Sequence, residues 1–105
     1  MPTKKRISVP GAIAHIMARG IDGAKLFTDD EDRRYFLNQC ADSLDKTGYH
    51  CYGWTLMTNH IHLVVRCSEQ PLEKLVRPIN ARYAKYFNTR YAGADICFKI
   101  DLNLF

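Results

Sequence analysis

The chain has 105 residues, 47% hydrophobic and 25% charged, and its fifteen basic against eleven acidic side chains give a formal net charge of +4. That length suits one domain with a two-layer core and leaves no room for a second folding unit, and no apolar run approaches the roughly 20 residues that span a bilayer. Lys4, Lys5 and Arg6 lead to Pro10 and Gly11 rather than to an apolar segment, so the start does not read as a signal peptide and a cytoplasmic location is expected.

Residues Ala12 to Arg19 alternate, with Ala12, Ala14, Ile16 and Ala18 on one side and Ile13, His15, Met17 and Arg19 on the other. This is the pattern of a strand, ending at Gly20. Asp22 and Gly23 mark a turn, and a short connector runs through Leu26 and Phe27. Thr28 followed by Glu31 reads as a capping box. Tyr35 or Phe36, Leu37, Cys40, Ala41 and Leu44 then recur at helical spacing until Gly48 supplies a stop.

Cys51 to Met57 and His60 to Cys67 are rich in aromatic and β-branched residues and are separated only by Thr58 and Asn59, which predicts a hairpin. If Met57 pairs with His60, then Thr55 lies opposite His62 and Gly53 opposite Val64. Trp54, Leu56, Ile61, Leu63 and Val65 then fall on the other face. A strand sends alternate side chains to one side, so His60 and His62 point together and can share one cation. Thr55 and Gly53 are small and leave space beside the imidazoles for a substrate. Taken alone, a His-x-His on a half-exposed strand is more often just a pair of solvated side chains.

Leu72, Leu75, Val76, Ile79, Tyr83 and Phe87 form an apolar stripe on a second helix, which Pro78 should kink or divide into two abutting helices. After Gly93 the pattern becomes irregular, with one further strand, Ile-Cys-Phe-Lys-Ile, expected between Ile96 and Phe105. Lys74, Arg77, Arg82, Lys85 and Arg90 alternate with Tyr83, Tyr86, Phe87 and Tyr91. That mixture suits phosphates and unstacked bases, although basic side chains also simply solvate a helix. Cys40, Cys51, Cys67 and Cys97 are scattered without metal-site or redox spacing and read as reduced packing residues.

The order strand, helix, strand, strand, helix, possible strand predicts a single α+β domain of the ferredoxin-like kind, an antiparallel sheet with two helices on one face. The helices require the face bearing Trp54, Ile61, Leu63 and Val65. His60 and His62 should therefore emerge on the uncovered side.

Four ordered blocks carry a family resemblance: Ile-Ala-His-Ile-Met-Ala-Arg-Gly from Ile13, the acidic helix start after Phe27, Leu-Met-Thr-Asn-His-Ile-His-Leu-Val-Val from Leu56, and Asn-Ala-Arg-Tyr-Ala-Lys-Tyr-Phe-Asn from Asn80. In these the chain resembles the single-tyrosine HUH transposases, in particular the REP-associated tyrosine transposases. The resemblance implies DNA transposition by a homodimer that cleaves and rejoins single-stranded or hairpin DNA through a phosphotyrosine intermediate. It implies Mg²⁺ or Mn²⁺ on His60 and His62. His15 shares strand parity with Arg19 and is either an extra ligand or a hydrogen-bonded, half-buried imidazole. Arg19, Arg77, Arg82, Lys85 and Arg90 are the candidate DNA contacts.

In the family the attacking tyrosine lies further on, in a helix with Tyr-Ile-x-x-Asn-Pro, and no such run precedes Phe105. The expectation is therefore a domain truncated at its C-terminal end relative to the family, with Tyr86 as the substitute nucleophile among Tyr83, Tyr86 and Tyr91. The alternative is a non-catalytic remnant that binds single-stranded or hairpin DNA. Thr58 stands where the family usually has proline, Pro78 is foreign to the helix pattern, and Asn59 is expected to serve turn geometry.

Overall fold

The computed structural model describes residues 9–20, 23–91 and the backbone of 98–104. The basic cluster at Lys4, Lys5 and Arg6, Asp22 of the expected turn, and Ile96 and Cys97 lie outside the described residues. Along β1 (Ile13–Gly20) every second residue is buried: Ala14, Ile16, Ala18 and Gly20. β3 (His60–Arg66) shows the same period, with Ile61, Leu63 and Val65 buried between half-exposed neighbours. These two strands form the middle of an antiparallel sheet with order β2-β3-β1-β4, flanked by β2 (His50–Leu56) and β4 (Phe98–Leu104). With α1 (Asp30–Thr47) and α2 (Leu72–Arg90) the chain runs β-α-β-β-α-β. This is the expected α+β ferredoxin-like arrangement, and the last strand, expected between Ile96 and Phe105, spans Phe98–Leu104 and pairs with β1 from Ala14 to Gly20.

The helices cover the face that carries the alternating apolar residues. Phe36 and Cys40 of α1 and Leu72, Leu75, Ile79, Tyr83 and Phe87 of α2 join Ile16, Ile61, Leu63 and Val65 in one core. Each of the larger side chains is worth roughly 1.5–3 kcal/mol on leaving water, so the stripe on α2 is what fastens that helix to the sheet. α2 is one continuous helix through Pro78, not two. Pro78 removes the donor that would serve the Lys74 carbonyl, and the neighbouring Leu75 carbonyl accepts a buried 2.7 Å hydrogen bond from Ser43 Oγ of α1, which ties the two helices together at that turn.

Two local expectations shift. The N-cap of α1 is Asp29, whose side chain accepts from the Asp32 amide, one residue later than the Thr28–Glu31 box. The reciprocal partner is Asp32, which accepts from both the amide and the hydroxyl of Thr28 at 2.9 Å. Gly48 ends the helix as expected, at φ 77° with its amide on the Leu44 carbonyl. Trp54 has the predicted strand parity, opposite Leu63, but is 56% exposed. It lies on the edge strand β2 and takes no part in the core, which Cys51 and Leu56 of the same strand do join. A bulge between Cys51 and Gly53 shifts the register of β2 by one residue, which places Cys51 opposite Val65 and packs it against the core. Cys40, Cys51 and Cys67 are free thiols, and burial pushes Cys40 up to about 12, well outside reactive range.

Candidate functional site

The hairpin turn sets the geometry of the site. The Met57 amide donates to the His60 carbonyl at 2.8 Å, closing a loop of Thr58 and Asn59, and Thr55 stands opposite His62 and Gly53 opposite Val64. The turn is braced from below. The amides of Leu26 and Phe27 donate to the Thr58 carbonyl at 2.8 and 3.3 Å, and the Gly20 amide donates to the Asn59 carbonyl at 3.2 Å. A side chain at position 20 would collide with the backbone carbonyl of Ala24, so glycine is what allows the connector to fold back under the turn.

With Ile61 and Leu63 committed to the core, His60 and His62 stand on the face that the helices leave open, both half-buried. Their rings are nearly parallel, 12° between planes with centroids 6.4 Å apart. Met17 lies directly across from His62, and Arg19 directly across from His60. His15, opposite Val64, reaches His62 diagonally: its Nε2 is 3.1 Å from His62 Nδ1, and the rings stack at 5.3 Å and 21°. His15 is half-buried, with a ring nitrogen within hydrogen-bond distance of His62. His60 Nδ1 meets Asn59 Oδ1 at 2.7 Å. Asn59 therefore contacts the site directly, beyond the turn role expected for it.

Among the described residues no third carboxylate, thiol or imidazole completes a metal cluster with this pair. The donor chemistry still fits a divalent ion. Two imidazoles share one face, and each has its Nδ1 within hydrogen-bond distance of a neighbour, which leaves Nε2 as the ring atom for an ion. Beside them the space is open, since an added Cβ at Gly53 would meet nothing within 4 Å.

The structure does not bring Tyr86 to the imidazoles. Its phenol donates to Asp32 Oδ1 at 2.7 Å, and its ring stacks on Tyr35 of α1 at 4.0 Å, within the helix layer on the opposite side of the sheet. Burial and the Asp32 carboxylate push its pKa up to about 12, the reverse of what an attacking phenolate needs. Tyr83 donates to the Leu26 carbonyl, and Tyr91 donates to Asp32 Oδ2 at 2.8 Å.

The basic candidates divide in the same way. Arg19 is exposed beside His60 on the open face. Arg77 pairs with Glu73 at 3.4 Å, and Arg82 pairs with Asp42 at 3.0 Å. Arg90 is bound to Asp29 at 2.8 Å and to Asp32 at 2.5 Å, and its guanidinium is the main reason that the Asp29 carboxyl sits below its usual range. Arg82, Lys85 and Arg90 line an open groove with Tyr35, Tyr86, Glu31 and Thr89, away from the imidazoles. No described helix is long and apolar enough to cross a membrane.

Comparison with known proteins agrees with this architecture. The structure of a REP-associated tyrosine transposase bound to a REP hairpin matches with a TM-score of 0.73 at 10% identity, covering 100% of this chain and 62% of that one. A candidate transposase from Deinococcus radiodurans R1 matches with a TM-score of 0.63 at 14% identity, covering 95% of this chain and 85% of that one. The present chain thus spans 62% of the length of the first of these. No curated protein matches the sequence significantly. The profile of the family described as Transposase IS200-like matches residues 8–97, and the chain belongs to that family.

Proposed function

We propose that this domain handles single-stranded DNA at its open sheet face, where His60 and His62 hold a Mg²⁺ or Mn²⁺ ion for cleavage and rejoining of a phosphodiester. The observation that carries the reading is the pair of near-parallel imidazoles on the uncovered side of the sheet in a chain of transposase family. When bound, the divalent ion would polarise the scissile phosphate and offset charge that builds on it. The imidazoles would hold it through lone pairs on Nε2. Arg19, exposed and directly across from His60, contributes a charge-assisted contact to an adjacent phosphate. The open space beside Gly53 and Thr55 admits the nucleotide.

Tyr83, Tyr86 and Tyr91 are committed to hydrogen bonds in the helix layer, so in this reading the nucleophilic hydroxyl comes from elsewhere in the protein or from a partner chain. A second copy is the partner we favour, with half-exposed Tyr52 and Trp54 on the edge strand β2 as available apolar surface. The hairpin in the related transposase structure makes a hairpin-tailed single strand the substrate to test. Arg77, Arg82 and Lys85 are placed to add phosphate contacts on the helix side if the strand wraps the domain. Arg90, already neutralised by carboxylates, contributes least.

The test uses a fluorescent hairpin-tailed oligonucleotide with and without Mn²⁺, followed by anisotropy and on a denaturing gel. Mn²⁺ should strengthen binding in the wild type and not in the His60→Ala/His62→Ala variant. The complete gene product should give a covalent protein–DNA species that depends on both histidines. Binding that falls steeply with salt but ignores Mn²⁺ and both substitutions, with no covalent species, would instead establish the non-catalytic binder.

A further inference from the structure

Each imidazole of the strand pair has its Nδ1 engaged by a neighbour that is not part of the pair. At His60 the neighbour is Asn59 Oδ1, 2.7 Å away, and an amide oxygen can only accept. With that oxygen as its partner, a neutral His60 carries its proton on Nδ1 and keeps its lone pair on Nε2. At His62 the neighbour is His15 Nε2, 3.1 Å from Nδ1. Two neutral imidazoles facing each other through these atoms share one proton, and which ring holds it fixes both tautomers.

If His62 donates, His15 accepts through Nε2, keeps its own proton on Nδ1, and His62 presents a bare Nε2 exactly as its neighbour on the strand does. If His15 donates, His62 has a proton on Nε2 and cannot ligate a cation there. The parallel with His60 decides between them, because a strand pair in which only one ring offers Nε2 could not share an ion.

We infer that His15 and Asn59 are positioning residues that lock His62 and His60 in the Nδ1–H tautomer and hold their rings side by side. The inference rests on the metal-assisted reading above and extends it to two residues that do not touch the ion. It also removes His15 from the ligand set, since its Nε2 lone pair is spent on His62. The strand register explains why a long side chain with an acceptor atom is needed at position 15. Met17 is the residue directly across from His62, so the acceptor has to arrive diagonally from opposite Val64, and the stacked ring spans that distance. Loss of such an outer hydrogen-bond partner typically lowers metal affinity 10- to 100-fold.

Long-range ¹⁵N–¹H correlation spectra of the imidazoles in the metal-free protein, at a pH where they are neutral, read each tautomer directly. His60 and His62 should both be Nδ1–H. In His15→Ala, His62 should lose that state while His60 keeps it, and Mn²⁺ affinity should fall about 10- to 100-fold. His15→Gln, whose amide oxygen can accept from the same place, should restore the His62 tautomer and hold the affinity within a few-fold of wild type.

An Nε2–H tautomer at His62 in the wild type overturns the inference without recourse to any variant. So does a Gln variant as damaged as the Ala variant, which would make His15 a ligand or a packing group. Correct tautomers in a protein that binds neither Mn²⁺ nor Mg²⁺ would refute the metal reading, and with it the purpose assigned to His15, while leaving the hydrogen bonds as described.

Discussion

Replacing Asp32 by asparagine should cost this fold about 3 kcal/mol at neutral pH, and the loss should shrink in acid. Asp32 is 0% exposed, and burial alone would raise its carboxyl pKa. The Thr28 amide, the phenols of Tyr86 and Tyr91 and the Thr28 hydroxyl outweigh burial and hold it at about 2, against an ordinary value of 3.8. At 1.36 kcal/mol per pKa unit, that depression is worth about 2 kcal/mol. A carboxyl whose folded pKa lies below its unfolded one stabilises above about pH 4, and the contribution disappears as the pH falls through about 2.

An asparagine removes this term and also turns an amide NH₂ toward groups that are themselves donors, which adds about 1 kcal/mol. Urea unfolding of wild type and Asp32→Asn, followed by circular dichroism, should therefore show a stability gap of about 3 kcal/mol at pH 7 that narrows to about 1 kcal/mol near pH 2. Carboxylates such as Asp42 titrate in both proteins and cancel in the gap. A gap below 1 kcal/mol at pH 7, or one that does not change with pH, refutes the reasoning. Tyrosine absorbance gives a second readout, because removing the Asp32 charge should bring Tyr86 down from about 12.

Gly20→Ala forces a methyl group into the Ala24 carbonyl and should destabilise by about 2 kcal/mol, lowering Tm by roughly 10 °C; an unchanged Tm contradicts the close approach. Tyr83→Phe leaves the Leu26 carbonyl without its buried donor, and equilibrium unfolding should register about 1–2 kcal/mol. Gly53→Phe places its Cβ in open space, so Tm should hold within a few degrees, yet the ring should narrow the open face and weaken oligonucleotide binding at least tenfold. Unchanged affinity would move the substrate elsewhere.

The elements that repeat locally were legible in the sequence. Alternation along Ala12 to Arg19 and across the hairpin assigned both faces of the sheet and the Thr55–His62 register, because a two-residue turn leaves no freedom in the pairing. What stayed hidden depends on groups far apart in the chain. Arg90 and Tyr86 read as a basic and aromatic helix face, but they meet Asp29 and Asp32 more than fifty residues away. No periodicity encodes that meeting. Trp54 failed for a different reason: parity says which side of a sheet a residue faces, not whether anything packs on it there. The contact between His15 and His62 was visible only as shared parity, since a diagonal pair depends on the order of strands in the sheet.

The same alternation that builds the core makes the site possible. On β1 and β3 one set of residues is committed to Phe36, Leu75, Ile79 and Tyr83, and the intervening set is free to carry imidazoles without disturbing that packing. A one-residue slip of the hairpin would exchange the two sets and bury His60 and His62 in place of Ile61 and Leu63, so the energy that secures the core also secures the direction of the histidines. The turn is held against slipping by the connector, whose Leu26 and Phe27 amides grip the Thr58 carbonyl. The connector in turn is fixed at its far end by Thr28 on Asp32. Asp32 thus stabilises the imidazole pair from across the sheet, and its replacement should broaden the His60 and His62 resonances even where the protein remains folded.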